Sequence, residues 1–183
     1  MLEQISGGSS MSLSIEERLR MIEDERAVLH TLYTYGHAID YGWEEEFVNL
    51  WVESGELYWP GCGTMKGREE IRVAFRAHTH APEYYHKHMV MSPLIKINGD
   101  QALADSMYLR VDAAPDSLRI VAFGRYRDVL SHCDDGSWRF ISRRAESEGL
   151  RTVGIPFVTK ADFGEPVEPC FTLPTENQRG NAI

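Results

Sequence analysis

Two histidines and one aspartate are the residues of this chain whose types and spacing best suit catalysis. His86 and His88 stand on either side of Lys87, and Asp40 lies far upstream of both. A neutral imidazole removes protons well near neutral pH, and a carboxylate behind it fixes its tautomer and stabilises the imidazolium that forms. If Asp40 and His88 meet, they form a general base that needs no metal or cofactor.

Each of these residues has a second interpretation. Asp40 could cap a following helix, although a carboxylate at the C-terminal end of its own helix is disfavoured by the helix dipole. His88 could be a histidine held by hydrogen bonds inside a strand. His86 shares a strand face with His88, so it either lines a pocket mouth or meets solvent. The three could also ligate a metal, but the dyad explains them with fewer assumptions, so we expect no metal and no cofactor.

The composition indicates one globular domain. The chain has 183 residues, 43% of them hydrophobic and 26% charged, which is enough for a substantial core. The net charge of −9 and the scattered basic residues argue against nucleic-acid binding. No apolar run approaches the roughly 20 residues that span a bilayer. Cys62, Cys133 and Cys170 are far apart and odd in number, which predicts reduced thiols in a cytoplasmic protein, without a disulfide or zinc site.

The first part of the chain has helical periodicity. Ser14 and Glu17 have the spacing of a capping box, and apolar residues then recur at steps of three, four or seven over 15–39, which predicts an amphipathic helix. A second helix is predicted from Gly42 to about residue 54, and a third begins at Gly67. Asp40 therefore falls at the end of the first helix.

The apolar period changes from 3.6 to 2 after residue 83. A short strand is predicted at 56–59 and four long strands at 84–97, 101–111, 117–131 and 137–146. The turns at 98–100 and 134–136 contain the Asn-Gly and Asp-Gly pairs typical of hairpins. Three N-terminal helices followed by this meander predict an α+β fold. In it the helices pack on a curved, mostly antiparallel sheet that forms a cone-shaped half-barrel.

Three regions are predicted along the chain. Residues 1–12 are a flexible leader without the features of a signal peptide, and residues 13–150 form the cone domain. Residues 151–183 are rich in Pro, Gly and Thr and are expected to form an extended tail. Only 155–158 and 169–171 contain apolar groups that could hold this tail against the domain, a neighbouring subunit or the pocket mouth.

Several short motifs also occur in a fixed order. They are LYxYxxxID at 32–40, LW at 50–51, MKGREEI at 65–71, HMVMSP at 88–93, GDxA at 99–102, GRYxD at 124–128 and DGxWRF at 135–140. The ordered set resembles the SnoaL-like family of the nuclear-transport-factor-2-like superfamily and covers about 15–148. The resemblance implies a cone-shaped fold with an interior cavity. It is specific for the fold and less so for function, because the superfamily also has non-catalytic members.

The resemblance implies roles for three residues. Lyases of this family place an aspartate at the end of the first helix and a histidine on the first long strand, which correspond here to Asp40 and His88. Their separation of 48 residues looks typical of the dehydrochlorinase and dehydratase members. For the dehydratases the resemblance also implies that Tyr35 assists a leaving oxygen or holds a carbonyl. Ketosteroid isomerases use an acidic base instead, so elimination is favoured over isomerisation.

Further residues are candidate substrate contacts. They are the aromatic and basic side chains predicted near the cavity, namely Tyr58, Trp59, His86, Phe123, Phe140 and Arg144. Met89 and Met91 are expected to add apolar surface, which suits a steroid, terpenoid, polyketide or similar ring compound. Trp138 and Phe140 also suit a core position, and Arg144 suits a paired surface position. His78 and His80 are expected to lie at a solvated helix terminus.

The predicted function is a cofactor-independent lyase, of the dehydratase or dehydrohalogenase type, that acts on a hydrophobic ring-containing small molecule. The alternatives are a non-catalytic ligand-binding or structural subunit like the β subunit of ring-hydroxylating dioxygenases, and an isomerase or polyketide cyclase with the same pocket. Neither a nucleic-acid nor a membrane partner is expected. The superfamily resemblance implies a homodimer or homotrimer.

Overall fold

A computed structural model describes residues 13–114 and 117–150. The predicted leader at 1–12 and the predicted tail at 151–183 lie outside these residues. The described part has three helices and six strands, in the order α-α-β-β-α-β-β-β-β, the helices being α1 (Ile15–Tyr41), α2 (Glu44–Asn49) and α3 (Gly67–Ala77). Among the described residues, no helix combines the length and apolar character needed to cross a membrane.

The predicted capping box at the start of α1 is confirmed. The Glu17 backbone N–H donates to Ser14 Oγ at 3.1 Å, and the Ser14 N–H donates to Glu17 Oε2 at 2.7 Å. The helix ends at Gly42, whose left-handed φ of 73° lets its N–H donate back to the Ala38 carbonyl. This sharp stop places Asp40 in the last turn, as predicted.

The sheet contains one more strand than the five that the sequence predicted, and its first strand is longer than predicted. Its strands are β1 (Trp51–Trp59), β2 (Gly63–Lys66), β3 (His86–Asn98), β4 (Gln101–Ala114), β5 (Ser117–His132) and β6 (Trp138–Leu150). Their order is β2-β1-β6-β5-β4-β3, and every pair is antiparallel except β1–β6. The predicted α+β class, with three helices on a mostly antiparallel sheet, is confirmed.

The second helix is shorter than predicted because the chain turns into the sheet at its end. The prediction continued α2 to about residue 54, but α2 ends at Asn49 and β1 begins at Trp51. The Phe140 N–H of β6 donates to the Leu50 carbonyl at 2.7 Å, and Trp51 is fully buried. Burial of this indole against the sheet overrides the helical pattern of the preceding residues. The four-residue strand β2 escaped prediction because it is too short to show a period.

Two bulges change which side chains face the helices. On β3, Met91 pairs with Met107 but Leu94 pairs with Asp105, so one extra residue lies between them, and Ser92 has a φ of 49°. Even-numbered His86 and His88 face inward before this bulge, and odd-numbered Ile95 faces inward after it.

A second extra residue lies on β6 between Phe140 and Ser142. It moves the inward face from even to odd positions.

The bulge on β6 places a buried ion pair in the core. Arg143 donates from Nε and Nη2 to the two carboxylate oxygens of Asp128 at 2.8 and 2.7 Å, and both side chains are fully buried. The guanidinium also lies 4.2 Å from the Tyr35 ring centroid and 4.4 Å from that of Tyr126. A planar cation stacked on aromatic rings and held by a bidentate carboxylate is a favourable arrangement for an interior charge.

Gly36 sets how closely α1 approaches β3. A Cβ atom at this position would lie 2.6 Å from the His88 carbonyl oxygen, which is a backbone atom and cannot rotate away. Gly36 lies one helical turn before Asp40. Its missing side chain therefore lets the Asp40 carboxylate reach β3.

We predict that Gly36→Ala destabilises the protein by about 1–3 kcal/mol, because the added methyl overpacks the contact between α1 and β3. The sign is diagnostic, since Gly→Ala inside a helix ordinarily stabilises by about 1 kcal/mol. Urea unfolding would measure the free energy of unfolding. His30→Ala, at an exposed position of the same helix, is the matched control and should change it by less than about 0.5 kcal/mol. A stabilised Gly36→Ala variant would contradict the close contact.

Candidate active site

Asp40 and His88 form a hydrogen-bonded pair between α1 and β3. His88 Nδ1 lies 2.7 Å from Asp40 Oδ1, and the His88 backbone N–H lies 3.1 Å from each carboxylate oxygen. The Asp40 residue is 3% exposed. These donors compensate for a carboxylate that lies at the negative end of a helix and out of water. Lys87 Nζ, at 3.8 Å from Oδ2, adds a nearby positive charge.

The pair fixes the tautomer of His88. A carboxylate oxygen only accepts hydrogen bonds, so Nδ1 carries the hydrogen and donates it to Asp40. In the neutral imidazole, Nε2 then keeps its lone pair. Among the described residues no partner occupies this nitrogen, and the His88 ring lines an interior cavity. The arrangement can therefore accept a proton from a molecule in that cavity.

The cavity lies between the inner face of the sheet and the helices and measures about 180 Å³. Its walls are mainly aromatic and include Tyr35, Trp59, Tyr108 and Tyr126. Further lining residues, which supply small or polar groups, are Pro60, Cys62, His78, Arg110, Ala122, Ala145 and Ser147. A small apolar cavity with a few polar groups is the usual form of a small-molecule site.

Tyr35 supplies a hydroxyl to this cavity. Its oxygen accepts a hydrogen bond from Trp59 Nε1 at 2.8 Å, which leaves its own hydrogen available to donate. Burial raises the pKa of Tyr35 to about 12. The phenol therefore stays protonated at neutral pH and can hydrogen-bond an oxygen of a bound molecule.

His86 is a second imidazole beside the same carboxylate. Its side chain is fully buried, and Nε2 lies 3.5 Å from Asp40 Oδ1. Neither ring nitrogen has a hydrogen-bond partner among the described residues. Burial, followed by the neighbouring His88, lowers the pKa of His86 to about 4. His86 is thus a neutral group behind the dyad and does not belong to the set of side chains that line the cavity.

Asp40, His86 and His88 also have the composition of a metal-ligand set. One ligand atom from each lies within 4.8 Å of the others. A metal held by these atoms would replace the 2.7 Å hydrogen bond between His88 and Asp40, because both partners of that bond would become ligands. The 2.7 Å contact between His88 and Asp40 has the geometry of a hydrogen bond.

His78 is a cavity residue that the sequence interpretation missed. It was expected at a solvated helix terminus, but its ring centroid lies 5.5 Å from that of His88 and 5.0 Å from that of His86. Its Nδ1 lies 2.7 Å from the Thr79 carbonyl, so that nitrogen carries the hydrogen. Burial lowers the pKa of His78 to about 3. The signal was present, because His78 continues the inward stripe of α3 formed by Ile71 and Phe75.

His80 differs from expectation in the same way. Its two ring nitrogens lie 2.6 Å from the Ile39 carbonyl and 3.0 Å from the Phe75 carbonyl. The Ala81 N–H donates to the Asp40 carbonyl at 2.9 Å. The segment after α3 is therefore bonded to the turn of α1 that carries Asp40.

The other predicted substrate contacts separate into two groups. Trp59 lines the cavity, as expected, whereas Phe140 is fully buried and packs on Trp51, so it belongs to the core. Tyr58 alternates with Trp59 and faces the other side of the sheet, where the Arg144 guanidinium lies 3.7 Å from its ring centroid. The predicted cavity positions of Tyr58 and Arg144 are wrong. For Arg144 the cause is the β6 bulge, which turns Arg143 inward instead.

Phe123 and Met89 are likewise misplaced by the prediction. Phe123 alternates with the inward residues Ala122 and Gly124 on β5 and is 43% exposed on the opposite face. Met89 lies between the inward His88 and Val90 and is 44% exposed. Arg110, which was not a predicted site residue, faces the cavity instead. The cavity is therefore more polar than the sequence suggested, because tyrosines, His78 and Arg110 line it in place of the predicted phenylalanines and methionine.

Comparison with known proteins identifies the family. Residues 20–144 match the model of the SnoaL-like domain, and the chain belongs to that family. No curated protein matches the chain significantly. One similar solved structure is an NTF2-like protein with a cystatin-like fold from Novosphingobium aromaticivorans. It shares 25% identity and a TM-score of 0.65, over 75% of this chain and 90% of that one.

Two further structures share the fold. A protein from Novosphingobium aromaticivorans, provisionally named a scytalone dehydratase, has 18% identity and a TM-score of 0.63 over 75% of this chain and 93% of its own. The β subunit of a provisionally named aromatic-ring-hydroxylating dioxygenase from the same organism has 20% identity and a TM-score of 0.59. That match covers 74% of this chain and 94% of the subunit. The fold thus occurs in a protein named as an enzyme and in one named as an enzyme subunit.

The two neutral histidines predict how stability depends on pH. The pKa values of His78 and His86 are lowered from 6.5 to about 3 and about 4. Between these values and 6.5 the unfolded chain binds protons that the folded chain does not, so acid favours unfolding. We predict that the free energy of unfolding falls as the pH decreases from 6.5 to 4.

Urea unfolding at a series of pH values measures this slope, and carboxylates contribute to it as well. The double variant His78→Gln/His86→Gln should therefore show a shallower slope than the wild type between pH 6.5 and 4. His30→Gln, at an exposed position, is the matched control and should keep the wild-type slope. An unchanged slope in the double variant would mean that neither histidine is held neutral by the fold.

Proposed function

We propose that this protein is a cofactor-independent lyase, of the dehydratase or dehydrohalogenase type, that acts on a hydrophobic ring-containing small molecule. The observation that carries the proposal is the 2.7 Å bond from His88 Nδ1 to a buried Asp40 carboxylate, with the His88 ring at the wall of an aromatic cavity. A positioned, neutral imidazole is the usual general base at neutral pH.

The proposed reaction begins with transfer of a proton from a substrate carbon to His88 Nε2. The electron pair of the broken C–H bond forms a C=C bond, and the leaving group departs from the adjacent carbon with its own bonding pair. Asp40 stabilises the imidazolium by its hydrogen bond to Nδ1. The imidazolium then returns its proton to a departing hydroxide, which leaves as water, or to solvent when the leaving group is a halide.

Tyr35 is placed to assist the oxygen side of this reaction. Its raised pKa of about 12 makes it a hydrogen-bond donor at neutral pH, and the Trp59 N–H orients its oxygen. We propose that it hydrogen-bonds the leaving oxygen or a substrate carbonyl. Donors aimed at developing negative charge in a site that excludes water are an effective source of rate enhancement.

The family membership is consistent with more than one activity. The neighbour named as a scytalone dehydratase fits a lyase, and the neighbour named as a dioxygenase β subunit fits a structural role. A structural subunit requires neither a catalytic dyad nor an open cavity beside it. An isomerase or polyketide cyclase is the second candidate and would use the same base. These reactions differ from elimination in the fate of the carbanion and not in its formation.

The test is a search for proton abstraction in a panel of hydroxylated, halogenated and ketonic ring compounds. Incorporation of deuterium from D₂O at a substrate carbon, followed by NMR, detects the base even when elimination is slow. Loss of water or halide, followed by mass spectrometry, identifies a lyase. We predict that His88→Ala lowers kcat/KM by at least about 100-fold, a typical loss for a general base.

The variants separate the proposed roles. Asp40→Asn should lower kcat because the amide no longer stabilises the imidazolium, and Tyr35→Phe should lower elimination more than deuterium exchange. His30→Ala, at an exposed position far along α1, should retain the wild-type rate. Turnover that survives His88→Ala would remove His88 from the mechanism. Exchange without elimination would support the isomerase alternative.

We propose that the protein assembles as a homodimer or homotrimer. The face of the sheet opposite the helices exposes several apolar side chains, including Met107 at 56% and Ile120 at 56%, and such surface is often covered in an assembly. Sedimentation velocity is expected to give the mass of two or three chains, and Met107→Glu is expected to lower it. A monomer at tens of micromolar protein would contradict this proposal.

A further inference from the structure

We infer that Arg110 binds a carboxylate group of the substrate, and that the substrate is an acid of one-ring size. The inference rests on the proposed function, since it names the class of molecule on which His88 acts. It arises from four observations: the position of Arg110, its unused hydrogen-bond donors, the lack of a competing cation in the cavity wall, and the cavity volume.

Arg110 and His88 lie opposite one another on neighbouring strands. They are partners in the antiparallel register of β3 and β4, so their Cα atoms are about 4.5–5.5 Å apart and their side chains share one face. Both side chains line the cavity. A group bound by Arg110 is therefore held beside the imidazole that removes the proton.

Asp112 orients the guanidinium of Arg110 and leaves part of it available. Arg110 Nε donates to Asp112 Oδ1 at 2.9 Å, and Nη2 lies 3.4 Å from Oδ2. The Tyr84 hydroxyl donates to the same Oδ2 at 3.0 Å, which fixes the carboxylate in turn. These contacts use the side edge of the guanidinium. Nη1 has no partner among the described residues, and Nη2 uses one of its two hydrogens in the contact with Asp112. The remaining hydrogens of Nη1 and Nη2 along the end edge match the two oxygens of a carboxylate.

Other cationic side chains near the cavity are engaged elsewhere. Arg143 is fully buried, and its Nε and Nη2 are bonded to Asp128. Arg144 lies on the opposite face of the sheet, against Tyr58. His78 is neutral, because burial lowers its pKa to about 3. Among the described residues that line the cavity, Arg110 is thus the arginine available to an anion.

The cavity volume suits a small anion. Its volume is about 180 Å³, close to the roughly 150 Å³ of an engineered protein cavity that binds benzene. Pockets for drug-sized ligands measure about 300–1,000 Å³. A single ring with a carboxylate fits this space, whereas the steroid and terpenoid frameworks expected from the sequence would extend beyond it through its open side. Binding the carboxylate to Arg110 also reduces its repulsion of the carbanion that forms nearby.

Benzoate and its neutral isostere benzamide test the inference without any turnover. Their affinities for the full-length protein can be compared by ligand-observed NMR or by titration of tryptophan fluorescence, since Trp59 lines the cavity. Wild type is expected to bind benzoate at least about tenfold more tightly than benzamide, because the bidentate charged pair is lost with the amide. Arg110→Gln is expected to remove that preference, and Arg110→Lys to retain part of it.

One further variant acts as a control. Arg125 forms an ion pair with Glu148 on the opposite face of the sheet, with 48% of its side chain exposed, and Arg125→Gln should keep the full preference. Thermal melting of each variant shows whether it is folded.

Two results would overturn the inference. They are an Arg110→Gln variant that is folded and keeps the preference, and wild-type protein that binds both compounds equally. Phenylphosphonate that binds more tightly than benzoate would overturn the assignment to a carboxylate. None of these measurements depends on catalysis. The carboxylate preference can therefore be confirmed even if the protein is not a lyase. Conversely, the protein can be shown to be a lyase that lacks this preference.

Discussion

The Asp40 carboxylate joins α1 to β3, and the groups of the candidate active site take their places from that junction. It accepts the backbone N–H and the Nδ1 hydrogen of His88, so one side chain fixes both the strand and the ring. Gly36 permits the close approach that these bonds need. The bond from Ala81 to the Asp40 carbonyl then fixes the same turn from the side of α3. A buried carboxylate would be costly alone, but here each oxygen has a donor.

A second buried charge pair shapes the far side of the cavity. Arg143 and Asp128 neutralise each other inside the core, and the tyrosines that stack on the guanidinium form part of the cavity wall. Removing one partner of such a pair typically costs about 3–5 kcal/mol, because the other is left as an uncompensated buried charge. The pair therefore helps to position Tyr35, whose hydroxyl is proposed to donate to a leaving oxygen.

The sequence was sufficient for most of the fold and for the dyad. The capping box, the apolar period of α1 and the period of two in the long strands are local signals, and each produced the element it indicates. The same periods placed Asp40 at a helix end and both histidines on one strand face, and the family resemblance singled out His88. Tyr35 and Trp59 followed from the family resemblance and from strand position, and the cavity lies beside both.

The errors have several physical causes. Strict alternation along a strand fails at a bulge, and bulges at Ser92 and between Phe140 and Ser142 exchange the two faces of the sheet. This exchange is why Arg143 lies inside and Arg144 outside. Phe123 was assigned to the wrong face because an apolar side chain was assumed to point inward. His78 was missed because it follows the end of a helix, and the cavity volume has no signature in a linear sequence.

The tautomer of His88 at neutral pH tests the central claim most directly. Long-range ¹H–¹⁵N NMR on histidine-labelled protein, with His88 assigned from the spectrum of His88→Gln, distinguishes a protonated ring nitrogen from one with a free lone pair. The dyad predicts a hydrogen on Nδ1 and a free Nε2, with the preference weakened in Asp40→Asn. A hydrogen fixed on Nε2 in the wild type would contradict the account, because that nitrogen could not then accept a proton from a substrate.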